Sequence, residues 1–301
     1  MPPRHRARGA AVGLAIVCFA LVGCAPELDA PAPSAAPLDA PVENPEADRE
    51  AALTDDKTPQ ADDAAAENPG LTQGELDDRL RWAAWGNDLD AAEQLIGWGA
   101  DVNAQDGTQQ SAFLIAASEG RDDVLRLTLE HGAHVDDLDS WNGTSLIRAA
   151  ERGHWDVAGS LIRAGVDVDH VNRVGYQAIH EAVIFGRDDP TYHAAVRVLV
   201  AGGASLSTPS VTEGQTPLQM ARSLGFAQQI RILEALDRAA PADPSAALLA
   251  SAASGDADAL ALALRAGAAV DTRDASGRTA LEIAESGGNV AAATVLRALG
   301  G

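Results

Sequence analysis

Apolar residues recur at helical spacing from about residue 75 to the C-terminus, and short polar turns interrupt them at regular intervals. Within each interval one glycine closes a short helix. These glycines are Gly86, Gly120, Gly153, Gly186, Gly225, Gly255 and Gly288, at successive spacings of 34, 33, 33, 39, 30 and 33 residues. A period near 33 residues predicts a solenoid, because a unit this small buries its apolar face only by stacking on similar neighbours.

The residues before these glycines supply a helix start. In the clearest copy, residues 215–221 read Gln-Thr-Pro-Leu-Gln-Met-Ala. Threonine caps a helix N-terminus through its side-chain oxygen, and proline fits the first turn. This segment resembles the Thr-Pro-Leu-His-x-Ala signature of ankyrin repeats, and weaker copies lie in phase at 111–117, 144–150, 177–182 and 279–284. The resemblance implies an all-α fold: an ankyrin-repeat solenoid of about seven helix-turn-helix units with β-turn fingers.

The period divides residues 74–301 into seven repeats. They lie at roughly 75–105, 106–138, 139–172, 173–210, 211–239, 240–273 and 274–301. The fourth repeat carries about five extra residues around 187–193, between its two helices. Between the fifth and sixth repeats the finger is missing, because residues 238–244 run directly into the next helix. This break predicts either a kink in the solenoid or a shortened turn without consequence.

The amino terminus is predicted to be a signal peptide, residues 1–23. Three arginines precede an apolar run at 10–20 that is too short to span a membrane. The run ends in Leu21-Val22-Gly23-Cys24, which resembles the lipobox of bacterial lipoproteins. The resemblance implies that Cys24 receives a diacylglyceryl group and becomes the first residue after cleavage. The alternative is a secretory peptide that ends in cysteine by chance.

Residues 24–73 follow as a predicted disordered tether. They are rich in alanine, proline and acidic residues and lack apolar periodicity, so they cannot offset the entropy of ordering. The whole chain is acidic, with 44 Asp and Glu against 22 Lys and Arg and a formal net charge of −22. This balance disfavours nucleic acid, and a protein partner steered by charge would be basic.

Ankyrin proteins usually bind their partners on a concave surface formed by the finger tips and the inner helices. The resemblance therefore implies such a binding surface in this chain. Aromatic residues are scarce in this chain, yet four of them map to exposed positions of that surface, flanked by charge. Exposed aromatics of this kind are typical of interface hot spots. The alternative is that they pack on neighbouring helices. The predicted partner-binding residues are Trp85, Trp141, Arg173, Tyr176, Ile184 and Phe185.

We expect no catalytic residues, no metal site and no cofactor, because no acid–base pair, phosphate-binding loop or free cysteine stands out after residue 24. Calcium on acidic fingers, such as Asp136, Asp137 and Asp139, remains an alternative. The predicted function is a membrane-anchored protein-protein interaction module on the extracytoplasmic side of the cell membrane, in the periplasm if the host has two membranes. One alternative is an accessory or immunity-type lipoprotein that holds or inhibits an extracytoplasmic enzyme or toxin. Another is a solute- or calcium-binding lipoprotein.

Overall fold

The computed structural model describes residues 67–301. The predicted signal peptide, Cys24 and the predicted tether as far as residue 66 lie outside the described residues. The described residues form fourteen α-helices, and the only pairings of strand type among them are two isolated bridges. The predicted all-α solenoid of helix pairs is confirmed.

Each predicted repeat holds one pair of helices, which we call inner (odd-numbered) and outer (even-numbered). The helices are α1 (Gln73–Gly86), α2 (Leu89–Gly97), α3 (Ala112–Glu119), α4 (Asp122–Glu130), α5 (Ser145–Glu151), α6 (Trp155–Ala164), α7 (Ala178–Ile184), α8 (Pro190–Ala201), α9 (Pro217–Leu224), α10 (Ala227–Leu236), α11 (Pro244–Ser254), α12 (Ala257–Arg265), α13 (Ala280–Ser286) and α14 (Val290–Ala298).

The helix ends follow from local chemistry. The Thr216 side chain accepts a hydrogen bond from the Gln219 N–H, the Gln219 side chain accepts one from the Thr216 N–H, and Pro217 starts α9. At the far end of an outer helix, Gly165 follows α6 with a φ of 89°. That left-handed conformation favours glycine, so the chain turns sharply out of the helix toward the next finger.

Alanine and branched aliphatic residues form one continuous core between the helices. The inner helices α1, α3, α5, α7 and α9 pack on one another in that order, and so do the outer helices from α2 to α10. Small residues such as Ala116, Ala149 and Ala182 are fully buried on successive inner helices. Alanine at these positions lets short helices approach closely, which is why so few aromatic residues are needed in the core.

The fingers are the loops 98–111, 131–144, 165–177, 202–216 and 266–279, which lead from an outer helix to the next inner helix. Four of them turn around the side chain of an Asp or Asn that accepts hydrogen bonds from backbone N–H groups just downstream. These residues are Asp106, Asp139, Asn172 and Asp274. Adjacent fingers also bond through their backbones: the Arg173 N–H donates to the Trp141 carbonyl over 2.8 Å, and the Val211 N–H to the Gly175 carbonyl over 2.9 Å.

The solenoid changes direction after the fifth repeat. The inner stack is interrupted between α9 and α11, where residues 237–243 replace a finger. Beyond that point α12 packs on the outer helices α8 and α10, and α14 packs on α6, α8 and α12. The break is therefore a kink that folds the last two repeats back onto the outer side of repeats three and four.

Polar and backbone contacts hold this fold-back in place. Arg197 in α8 donates from Nε to Asp258 in α12 over 2.6 Å, and Arg265 donates to the carbonyls of Val200 and Ala204. Arg163 donates to the carbonyl of Ala298, the last residue of α14. Gly159 is buried at the closest approach of α6 and α14, where a Cβ would lie 2.1 Å from the same carbonyl oxygen.

Candidate functional site

The inner face, meaning the solvent side of α1, α3, α5, α7 and α9 together with their fingers, carries exposed aromatic residues. Trp85 lies in the last turn of α1 with 57% of its surface exposed, and Phe185 follows α7 with 46% exposed. Trp141 lies in the finger 131–144 and is 48% exposed. The fold-back of the last two repeats lies on the outer side of the solenoid, so it leaves these three side chains accessible.

The other three predicted partner-binding residues differ in their exposure: one is exposed, one is half-buried and one is buried. Arg173 is exposed beside Trp141, to whose carbonyl its backbone N–H is bonded. Ile184 is half-buried and packs against the core. The prediction that Tyr176 is exposed is wrong, because only 7% of this residue is accessible. The neighbouring finger covers it, and the Tyr176 hydroxyl donates to Glu213 of that finger over 2.5 Å.

A line of charged side chains lies beneath the fingers. Arg148 in α5 donates to Asp139 at the base of the finger 131–144, and to Glu151 over 2.8 Å. The other Asp139 oxygen accepts from the N–H groups of Trp141 and Gly143 at 2.8 and 2.9 Å. This network fixes the finger that presents Trp141. It also engages both oxygens of Asp139, one of the carboxylates considered for calcium.

The next finger rests on a buried carboxyl group. Asn172 donates to Glu181 in α7 over 2.7 Å, and its own oxygen accepts from the N–H groups of Val174, Gly175 and Tyr176. Burial, together with the negative charge of Glu151, raises the pKa of Glu181 to about 7, although the hydrogen bond from Asn172 acts to lower it. Because the Glu181 carboxyl is buried behind Asn172, the arrangement positions a finger and offers no open acid–base site.

Sequence reasoning missed Arg148 and Glu181. Both lie four residues after the N-cap of their inner helix. Other repeats have an apolar residue at this position: Ile115, Met220 and Ile283. A charge in a slot that is otherwise apolar was the available signal, because a buried charge requires a partner nearby.

Only the first of the extra residues of the fourth repeat, 187–189, lie between α7 and α8, whereas residues 190–193 form the first turn of α8. Arg187 and Asp188 both adopt positive φ, at 44° and 58°. The Asp188 carboxylate accepts from the N–H groups of Gln228 and Gln229, at the start of α10, while Tyr192 donates to the carbonyl of Glu151 over 3.0 Å. The loop and the first turn of α8 thus tie the third, fourth and fifth repeats together next to Phe185, and backbone strain of this kind collects at functional sites.

No helix in residues 67–301 is long and apolar enough to cross a membrane. Nor does that stretch hold a group of three or more His, Cys, Asp or Glu side chains arranged to bind a metal ion.

Comparison with known proteins identifies the repeats. A family model for ankyrin repeats, in three copies, matches residues 80–172. The ankyrin repeat protein YahD of Escherichia coli K12 is 32% identical over 144 residues, which is 47% of this chain and 70% of that protein. The chain belongs to the ankyrin-repeat family. Ankyrin repeats are protein-protein interaction modules, and the inner face is therefore the candidate partner-binding site.

Two other similar proteins match about half of this chain. The nuclear factor NF-kappa-B p105 subunit of Gallus gallus is 33% identical over 159 residues, which is 52% of this chain but only 15% of that protein. A crystal structure of an ankyrin repeat domain from Acinetobacter baumannii is 42% identical and covers 52% of this chain and 79% of its own, with a TM-score of 0.49.

Proposed function

We propose that this chain is a membrane-anchored interaction module that binds a protein partner through its inner face. The observation that carries the proposal is the set of exposed aromatic side chains, Trp85, Trp141 and Phe185, on a face that the fold-back leaves open. Large exposed aromatic residues in a rigid setting are typical interface anchors. The finger that carries Trp141 is fixed by the Asp139 network before any partner arrives, which lowers the entropy lost on binding.

The charge of the chain supports a partner with a basic surface. Residues 75–301 contain 32 acidic and 17 basic side chains, and several of the arginines are already engaged inside the structure. A negative field of this size speeds the approach of a basic protein and repels nucleic acid and other acidic surfaces.

The anchoring half of the proposal depends on Cys24 and the lipobox residues before it. Two acyl chains on one cysteine give stable membrane attachment, whereas one chain gives only marginal affinity. The acidic, proline-rich residues that follow would then extend the ankyrin domain away from the bilayer, on the extracytoplasmic side.

Capture of partners from native membranes tests the binding half. The bait is the full chain, compared with a Trp141→Ala/Phe185→Ala variant and with Val290→Ala as a matched control. Val290 is also an exposed apolar residue, 72% accessible, but it lies on α14. We expect a captured protein that is retained by the control and lost by the double variant. Equal capture by all three baits would overturn the inner face as the binding site.

Membrane fractionation tests the anchoring half separately. We expect the unaltered chain in the membrane fraction, with a mature mass that begins at an acylated Cys24. A Cys24→Ala variant should lose the acyl mass. Its predicted signal peptide should then either be cleaved at another site, so that the chain leaves the membrane fraction, or remain uncleaved. An unmodified Cys24 in the unaltered chain would refute lipid anchoring and leave the binding proposal intact.

A further inference from the structure

The first ankyrin repeat exposes two tryptophans side by side. Trp82 and Trp85 are three residues apart on α1, so they are neighbours on the helix surface. Their rings meet edge to face, with centroids 6.0 Å apart and planes at 83°. With 70% and 57% of their surfaces exposed, the two indoles remain largely open to solvent despite this contact.

The position of this pair makes its exposure unusual. α1 buries Leu76, Leu80, Ala83 and Ala84 against α2 and α3, so the two tryptophans project from the remaining, uncovered surface. The end of a solenoid is normally covered by a polar surface, because no further repeat stacks on it. Two adjacent exposed indoles instead form an apolar patch of the kind that marks a binding site.

The surroundings of the pair are strongly acidic. Residues 67–105 contain eight acidic side chains and two basic ones. One of the two, Arg81, is already bonded to Asp78 and to the carbonyl of Ala104. Asp78 lies one helical turn before Trp82, with 67% of its side chain exposed. An incoming positive charge would therefore meet both indole faces and carboxylates.

We infer that the Trp82–Trp85 pair is a subsite for an arginine or lysine side chain of a basic segment in the partner protein. Tryptophan is the ring that attracts cations most strongly, and the nearby carboxylates add long-range attraction and a hydrogen-bond acceptor for the same group. This inference rests on the proposed function, since it names the chemistry of the partner. A second copy of this chain is disfavoured as the occupant, because two first repeats of equal negative charge repel each other.

The test compares two blocked pentapeptides, Gly-Arg-Gly-Arg-Gly and its analogue with citrulline in place of arginine. Citrulline keeps the shape of arginine and removes its charge. The indole N–H signals of the full chain are followed by NMR, with Trp82→Phe and Trp85→Phe variants used for assignment. We expect the arginine peptide to shift the Trp82 and Trp85 signals, and to bind about tenfold more tightly than the citrulline peptide.

Variants of the chain separate this subsite from the rest of the inner face. A Trp82→Ala/Trp85→Ala variant should bind the arginine peptide at least about tenfold more weakly. Trp141→Ala should bind it as the unaltered chain does, because Trp141 lies two repeats away. Equal binding of the arginine and citrulline peptides, or undiminished binding by the Trp82/Trp85 variant, would overturn the inference.

Two further measurements address other occupants. Sedimentation of the full chain, and its binding to phosphatidylcholine vesicles, are compared with those of the Trp82/Trp85 variant. We expect no difference in either. Self-association or vesicle binding that disappears in the variant would overturn the inference in favour of a second copy or a lipid surface. Partner capture that depends on Trp141 and Phe185 is unaffected by these outcomes, so the inference and the proposed function can fail separately.

Discussion

At the scale of single residues, a few side chains and one missing side chain decide how the repeats fit together. Gly159 has no Cβ where α14 approaches α6, and that absence allows the last repeat to sit on the third. Glu181 keeps a carboxyl group in the interior to hold Asn172 and the finger above it. Gly159 lies on the outer side of the solenoid, whereas Glu181 lies one helical turn before the exposed Phe185 on the inner side.

Replacing Gly159 with alanine should undock the last repeat. The added Cβ would lie 2.1 Å from the Ala298 carbonyl oxygen, a backbone atom that cannot move alone. We expect a loss of about 2 kcal/mol or more in the free energy of unfolding, measured by denaturant titration. Gly97→Ala is the matched control, since Gly97 ends a helix and has nothing within 4 Å of an added Cβ. It should change stability by less than about 1 kcal/mol. Equal effects of the two substitutions would contradict the close approach.

Replacing Glu181 with glutamine should stabilise the protein in a pH-dependent way. The pKa of Glu181 is about 7 in the folded protein, against 4.5 for an ordinary glutamate. Between pH 4.5 and 7 the unfolded chain releases the Glu181 proton that the folded protein still retains. The free energy of unfolding therefore falls as pH rises through this range. Above pH 7 the loss of stability caused by Glu181 is constant. Glutamine keeps the oxygen that Asn172 requires and carries no charge.

Denaturant titrations at pH 4.5, 6 and 8 check this prediction. The advantage of the Glu181→Gln variant over the unaltered chain should be small at pH 4.5 and reach up to about 3 kcal/mol at pH 8. An advantage that stays constant from pH 4.5 to 8, or a variant less stable at pH 8, would show that the buried carboxyl does not titrate as described.

At the scale of helices, the last two repeats depart from a simple stack. α12 and α14 pack on the outer helices α6 and α8, and contacts such as Arg163 to Ala298 join residues 135 apart in sequence. The inner helices from α1 to α9 form the regular part of the solenoid. The fold-back thus adds core to repeats three and four without covering the inner face.

A double-mutant cycle between Arg197 and Asp258 measures whether α12 is docked on α8. Their side chains are 2.6 Å apart and mostly buried, so we expect a coupling free energy of about 1 kcal/mol. The pair Arg222 and Glu234, at 2.7 Å but about half exposed, serves as the comparison. It should couple by no more than about 0.5 kcal/mol. No coupling between Arg197 and Asp258 would contradict the fold-back.

The helices were predictable from sequence, and their long-range arrangement was not. The glycine period and caps such as Thr216 are local signals, so the seven helix pairs follow from them directly. The missing finger at 237–243 indicated a break, but its direction depends on surfaces of α6 and α8 that meet α12 and α14 only in three dimensions. The position of Trp141 and Phe185 within their repeats likewise predicted correctly that both are exposed to solvent. The same prediction was wrong for Tyr176, because the conformation of the next finger decides whether that position is covered.

At the scale of the whole molecule, the ankyrin solenoid presents one open face and one covered side. The covered side stabilises the third and fourth repeats, and the open face carries the exposed aromatics within a strongly negative field. With the proposed acyl anchor at Cys24, the molecule would hold this face near a membrane for a partner that shares the compartment. We propose that the open face binds the partner and that the covered side stabilises the solenoid.

Site-specific photocross-linking in living cells shows which of the two sides binds the partner. A benzophenone amino acid is placed at position 141 or 185 on the inner face, and at position 290 on α14 as the exposed control. We predict one discrete protein adduct, the same from positions 141 and 185, and none from position 290. An adduct formed from position 290 and absent from both inner positions would show that the partner binds the outer side and not the inner face.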